Sequence, residues 1–107
     1  MNRKKLVTEM GRISGDDFRN AEKLPLVVVL DNVRSLHNVG SVFRTSDAFR
    51  VQRILLCGIT ATPPNAEIHK TALGAEDVVE WQYFESTDDA VTALRKEGYR
   101  IFAVEQC

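Results

Sequence analysis

The pattern of hydrophobic and polar positions along the chain predicts strands that alternate with helices. Strand-like runs, rich in β-branched and aromatic residues, occur at residues 26–30, 54–57, 78–83 and 100–104. The first run is continuously apolar, which is typical of a strand covered on both faces in a parallel sheet. Helical patterns occupy the intervals between the runs, at residues 39–50, at residues 66–74 and from a cap at Ser86 to Lys96.

The order of these elements, β-α-β-α-β-α-β, predicts an α/β fold. Strands joined by helices form a parallel sheet with right-handed crossovers and helices on both faces. Ligands of such sheets bind at the carboxyl ends of the strands. The loops that follow the predicted strands are therefore the expected location of a functional site.

The residues before the first predicted strand have a different pattern. Residues 3–10 and 14–23 are expected to form two short helices, the second of them capped by Ser14. We therefore expect a helical extension over residues 1–24, followed by one domain over residues 25–107.

Length and composition limit the class of protein. A chain of 107 residues has room for one small domain, and 44% hydrophobic and 27% charged residues are ordinary for a globular protein. No apolar run approaches the roughly 20 residues that a membrane span needs, and no apolar stretch follows the basic N-terminus as it would in a secretory signal. Two cysteines cannot form a disulfide framework, so we expect a reducing, cytoplasmic location.

Charge is distributed unevenly, although the formal net charge is only −1. Residues 32–75 contain five basic and two acidic side chains, whereas residues 76–107 contain three basic and eight acidic ones. A polyanion is therefore expected to contact the middle of the chain and to be repelled by its last third.

The loop and helix after the first strand contain the strongest candidate site. Asn38 is placed to cap the helix, and Arg44 follows Gly40 by one helical turn. Because helical side chains lean toward the N-terminus, the Arg44 guanidinium can lie across Gly40 and approach the free N–H groups of the first turn. Those groups attract anions, and Arg34 and His37 add donors in the loop. We therefore predict a phosphate-binding corner at the end of the strand.

Each of these features also has a purely structural interpretation. Asn38 can act as a helix cap alone, and Gly40 can serve close packing of its helix. Arg44 can form a surface ion pair with Asp47, which would contribute only a few tenths of a kcal/mol. The cysteines and histidines lack the spacing of a metal site, so no metal is expected.

The segment NVGSVFRTSDAF, residues 38–49, closely resembles motif 1 of the SpoU/TrmH family of RNA ribose methyltransferases, in the SPOUT superfamily. The family pattern is Asn-x-Gly-x-x-x-Arg, then a small residue and Asp-Ala. The segment TALGA, residues 71–75, also looks like the family's Ser/Thr-x-Gly-Ala segment. The resemblance covers roughly residues 26–107 and includes the apolar strands on either side of motif 1.

The resemblance implies 2′-O-methylation of a ribose in tRNA or rRNA, with S-adenosylmethionine as methyl donor. It makes Arg44 the proton acceptor or activator of the ribose hydroxyl. It makes Asn38 the residue that holds this arginine or the substrate. Arg34, His37 and Ser41 are the expected RNA contacts. Arginine keeps its proton at neutral pH, so activation needs help from a nearby RNA phosphate and from in-line placement of the reacting atoms.

The resemblance also implies a cofactor contact and an assembly. Family precedent places S-adenosylmethionine at the end of the last predicted strand, where Val104 is the expected contact. The complete domain is expected to form a homodimer.

Two further motifs of the family do not occur in the 107 residues. They are a glycine-rich turn with Gly-x-Glu and a segment of the Ser-Leu-Asn-Val-Ser type, which form the trefoil knot and most of the cofactor pocket. The chain is therefore expected to be the N-terminal part of a SPOUT α/β-knot domain and to be inactive by itself. The alternative is a non-catalytic RNA-binding α/β module that uses the same basic corner.

Overall fold

The computed structural model describes the backbone of residues 4–10 and 23–106, with side chains for residues 23–104. Strands and helices alternate after the first two strands, as the sequence predicts. The strands are β1 (Lys4–Met10), β2 (Leu24–Asp31), β3 (Val51–Cys57), β4 (Trp81–Phe84) and β5 (Arg100–Gln106). The helices are α1 (Leu36–Ala48), α2 (Ala66–Ala72) and α3 (Thr87–Lys96), with a short 3-10 helix at Ala75–Asp77.

The strands form one sheet in the order β4-β3-β2-β1-β5. Strands β2, β3 and β4 are parallel to one another, which confirms the predicted parallel sheet. Strand β1 is antiparallel to both of its neighbours, so β5 runs in the same direction as β2. The carboxyl ends of β2, β3 and β4 therefore meet at one edge of the sheet.

The prediction of a helix over residues 3–10 is wrong, because residues 4–10 form strand β1. This strand lies between β2 and β5, with Val7 opposite both Val29 and Ala103. Pairing on both sides satisfies the backbone of the segment, whereas an isolated helix of this length is marginal in water. The second predicted helix, at residues 14–23, lies outside the described residues except for Lys23, and the division of the chain at residue 24 stays a prediction.

Helices cover both faces of the sheet, as predicted, and alternate residues of β2 and β3 face opposite sides. Helices α1 and α2 pack on one side through buried Phe43 and Ile68. Helix α3 packs on the other side through buried Leu94. The first side includes Val28, Leu30, Ile54 and Leu56, and the second includes Val27, Val29, Leu55 and Cys57.

The segment between α2 and β4 departs from the predicted boundaries. Helix α2 ends at Ala72 because Leu73 adopts a left-handed conformation with φ 52°, and Gly74 follows with φ 93°. Strand β4 then begins at Trp81 rather than at Val78, which is 66% exposed. This tight turn places the 3-10 helix beside α2.

Within the described ranges, 4–10 and 23–106, no helix is long and apolar enough to cross a membrane. The same ranges contain no group of three or more histidine, cysteine or acidic side chains that could hold a metal ion.

Candidate functional site

Hydrogen bonds join the loops at the carboxyl ends of β2 and β3. The buried Thr60 hydroxyl accepts a hydrogen bond from the Val33 amide at 2.9 Å and donates one to the Leu30 carbonyl at 3.2 Å. The Ile59 amide donates to Asn32 Oδ1 at 3.0 Å. Because both loops are held to each other, the start of α1 has a fixed position relative to the sheet.

Helix α1 begins earlier than predicted, and Asn38 is not its cap. Ser35 is the N-cap residue, since its backbone is extended and its Oγ accepts a hydrogen bond from the Asn38 amide at 3.1 Å. Serine and asparagine cap helices about equally well, so the sequence pattern alone does not separate them. Asn38 therefore lies in the first turn of the helix. Its backbone N–H is bonded to the Ser35 side chain and is not available to an anion.

The predicted RNA-contacting residues lie on the exposed side of α1 and in the loop before it. His37, Ser41 and Arg44 are spaced by four and three residues, which places them on one face of the helix. Arg34 lies in the loop just before the cap, and Arg34, His37 and Arg44 are exposed. None of these three side chains has a hydrogen-bond or ion-pair partner among the residues that the structure describes.

The space above Gly40 is filled by helix α2, so the predicted path of Arg44 across Gly40 is wrong. A Cβ atom on Gly40 would overlap the Thr71 Oγ and the carbonyl oxygen of Ile68, and would lie 3.0 Å from the Ala72 amide. The Thr71 hydroxyl also donates to the His37 carbonyl at 2.9 Å. Gly40 therefore permits a close contact between the two helices and does not clear a route for the guanidinium.

The structure brings some predicted site residues together and separates others. Arg44 forms no ion pair with Asp47 within the described part of the chain, and it shares no hydrogen bond with Asn38. Val104 lies on β5, two strand positions away from β2, and is 44% exposed. The basic face of α1 is thus assembled, whereas the predicted cofactor contact is remote from it.

A second polar cluster, which the sequence analysis missed, lies beyond α2. His69 Nδ1 and Glu76 Oε2 are 2.7 Å apart, and the Glu76 side chain is only 8% exposed. Burial by itself would raise the pKa of Glu76, but His69 and the backbone amides of Glu76 and Gly74 outweigh it, so the pKa lies below its ordinary value of 4.5. The two residues are separated by a left-handed turn that the sequence pattern does not reveal.

The Glu76 carboxylate is expected to make stability depend on pH. A carboxyl whose pKa is lower in the folded state stabilises the fold above its unfolded pKa, and this contribution disappears as the pH falls through the folded value. Glu76→Gln should therefore lower the free energy of unfolding by about 1–2 kcal/mol at pH 7, as for loss of a charged hydrogen bond, and by progressively less as the pH falls below 4.5 and through the folded pKa of Glu76. Urea unfolding at pH 7 and at a series of acidic pH values measures this difference.

Glu67→Gln is the matched control for this prediction, because Glu67 is largely exposed and pairs with Lys70 only on the surface. It should change stability by a few tenths of a kcal/mol. An equal effect of the two substitutions, or an effect of Glu76→Gln that grows as the pH falls, would contradict the assignment.

Comparison with known proteins gives a family match over most of the chain. The sequence profile of the SpoU rRNA Methylase family matches residues 25–106. A 23S rRNA (guanosine-2'-O-)-methyltransferase RlmB from Vibrio parahaemolyticus is 35% identical over 77 residues, which are 72% of this chain and 31% of that protein. The RlmB protein of Nitrosomonas europaea is 41% identical over 54 residues, which are 50% of this chain and 21% of that protein.

A solved structure has a similar fold. The crystal structure of an AdoMet-bound rRNA methyltransferase from Sinorhizobium meliloti superposes with a TM-score of 0.60 and 30% sequence identity. The superposition covers 66% of this chain and 26% of that chain. The chain thus spans about a third of the length of the curated relatives it matches, or less.

Proposed function

Because the chain belongs to the SpoU rRNA methylase family, we propose that it is the RNA-binding part of an S-adenosylmethionine-dependent RNA 2′-O-ribose methyltransferase. The observation that carries the proposal is the exposed face of α1 with the loop before it. Arg34, His37 and Arg44 have no hydrogen-bond partner there within the described part of the chain, and they lie next to the carboxyl ends of three parallel strands. That edge is where ligands of parallel sheets bind.

The RNA backbone is the ligand that this face suits best. Arg34 and Arg44 provide planar guanidinium groups that match phosphate oxygens, and His37 and Ser41 add further hydrogen-bond donors between them. The close α1–α2 contact at Gly40 holds this face at a fixed position. Phosphate contacts of this kind set the position of an RNA without reading its sequence.

In the proposed reaction Arg44 acts on the ribose hydroxyl, supported by Asn38 in the first turn of the same helix. Arginine is a poor base, so its contribution is to orient the ribose hydroxyl, beside an adjacent RNA phosphate, for in-line attack of its oxygen on a methyl carbon, while the hydroxyl proton passes to water. Asn38 is half-buried at the start of α1, where its side chain can hold the substrate.

S-adenosylmethionine supplies the methyl group when it is bound, and Val104 is the residue proposed to contact it. Val104, the expected contact, is exposed on a strand at the edge of the sheet. Among the residues whose side chains the structure describes, none of β5 lines the cavities bordered by Trp81 and by Arg50. We therefore assign Val104 only as a candidate contact.

The same proposal includes the identity of the RNA and the assembly. The RlmB relatives act on 23S rRNA, by their names, which favours rRNA over tRNA as the substrate. The proposal also includes a homodimer in the cytoplasm for the complete domain. Phe102 and Val104, both exposed and apolar on β5, support burial of this face in the complete domain.

Methyl transfer to RNA tests the proposed function. The protein, in the length its gene encodes, is incubated with labelled S-adenosylmethionine and rRNA, and the product is digested to nucleosides. We expect label in a 2′-O-methylated nucleoside. RNA binding that falls with salt but gives no labelled ribose would favour the alternative, a non-catalytic RNA-binding module.

A further inference from the structure

A cavity of about 610 Å³ lies between the N-terminus of α2 and strand β4, away from the exposed face of α1. Pro63, Pro64 and Trp81 form flat apolar parts of its wall. Asn65, His69 and Asp77 contribute polar groups to the same wall. Its volume lies in the range of small-molecule sites, and its lining combines apolar surface with a few polar groups, as such sites do.

The polar groups of the cavity offer both donors and acceptors. Asn65 uses its Oδ1 to cap α2, which leaves its NH₂ group free to donate. The ionised Glu76 can only accept, so His69 donates from Nδ1, and its Nε2 is a second polar atom at the same wall. Asp77, which is exposed, adds two further acceptor oxygens.

The charge of this wall excludes a phosphate group as the ligand. Asp77 and Glu76 are acidic, and His69, the one basic side chain of the lining, is already bonded to Glu76. A neutral, flat ring with alternating donors and acceptors at its edge fits both the apolar wall and the polar groups. Nucleobases have these properties, and unpaired RNA bases are bound by stacking on aromatic rings and by hydrogen bonds to their edges.

We propose that this cavity binds an unpaired nucleobase of the RNA whose phosphates contact the exposed face of α1, with the base stacked on Trp81. Tyr83 extends the same surface, because it lies two residues further along β4 and points to the same face. Tyr83 is 43% exposed, and its hydroxyl donates to the Gly58 carbonyl at 2.7 Å, which holds the ring in place.

Two observations connect the cavity to the proposed RNA face, and the inference rests on the proposed function. Helix α2 borders the cavity at Ala66 and His69, and the same helix contacts α1 through Thr71. The hydrogen bond from Tyr83 joins β4 to the loop that is tied to Asn32 before α1. These contacts hold the cavity and the exposed face of α1 in one fixed arrangement.

The fluorescence of Trp81 measures this binding directly, because Trp81 is the only tryptophan in the chain. The probes are the four uncharged nucleosides and a single-stranded hexaribonucleotide. We expect at least one nucleoside to quench the fluorescence in a saturable manner. The hexaribonucleotide should bind more tightly, so it should quench at lower concentrations. Ala66→Leu places a larger side chain in the cavity wall. It should raise the dissociation constant obtained from the quenching titration at least about tenfold, as loss of one stacked base does.

Thr92→Leu on α3 is the matched control, since it adds an exposed leucine on the opposite side of the sheet and should leave quenching unchanged. Trp81 also packs on the core, so thermal unfolding of each variant is measured in parallel. Quenching that Ala66→Leu does not weaken overturns the inference. Quenching by N-acetylarginine amide but by no nucleoside also overturns it, because the site would then bind a cation.

The two proposals fail in different ways. If the hexaribonucleotide binds in a salt-dependent manner but leaves Trp81 fluorescence unchanged, the base site is wrong and the RNA-binding function stands. If Arg34→Gln and Arg44→Gln leave the affinity for the hexaribonucleotide unchanged while nucleosides still quench Trp81, the α1 face is wrong and the base site stands.

Discussion

Gly40→Ala is expected to destabilise the protein by about 2 kcal/mol or more, although alanine is the better helix former. In an isolated helix this change would stabilise by up to about 1 kcal/mol. Here the new Cβ would overlap both the Thr71 Oγ and the Ile68 carbonyl oxygen. A backbone atom cannot rotate away, so α1 and α2 must separate, and overpacking of this kind costs roughly 1–3 kcal/mol or more. Urea unfolding gives the change in free energy.

A double-mutant cycle separates the two overlaps. Thr71→Ala removes the side-chain overlap but leaves the Ile68 carbonyl, so it should recover only part of the loss in the Gly40→Ala background. Gly98→Ala is the control for glycine replacement in general, because its Cβ would meet open space and only its φ of 93° is unfavourable. A stabilising Gly40→Ala would mean that the two helices do not approach as closely as the structure shows.

Most of the fold could be predicted because the buried strands and helices have strong local patterns. The apolar run of β2 and the capped helix from Ser86 identify their elements without tertiary information. Strand β1 could not be predicted in this way, because its stability comes from partners far along the chain, such as Val29 and Ala103. Pairing with distant strands overrides the weak helical preference of a short segment.

The candidate site could be predicted only as far as helical periodicity reaches. The spacing of Ser41 and Arg44 places them on one face of the predicted helix. The structure adds His37 to that face, because the helix begins at Leu36 rather than after the loop in which His37 was predicted. The contact of α2 with Gly40 depends on the packing of two separate helices, which local spacing does not encode. The start of α1 likewise depends on Thr60, which holds the preceding loop from another part of the chain.

Arg44→Gln is expected to lower methyl transfer by about 10²-fold or more, because loss of the guanidinium leaves the ribose hydroxyl misplaced for in-line attack. Arg44 is exposed, forms no ion pair within the described residues and lies away from the buried core, so the substitution should leave stability almost unchanged. Arg44→Lys keeps the charge but not the planar fork, and it should also be strongly impaired. Single-turnover methylation of rRNA by the protein in the length its gene encodes measures both rates.

Binding measurements distinguish a catalytic Arg44 from a simple phosphate contact. If Arg44 acts on the hydroxyl, Arg44→Gln lowers the rate far more than the affinity for RNA. If it only contacts phosphate, affinity falls instead, and the dependence of log K on log salt loses about one unit of slope. Arg95→Gln on α3 makes the same charge change on the opposite side of the sheet. It should affect neither the rate of methyl transfer nor the affinity for RNA. An equal loss of rate or affinity in Arg44→Gln and Arg95→Gln would show that net charge, rather than the position of Arg44 on α1, determines the effect.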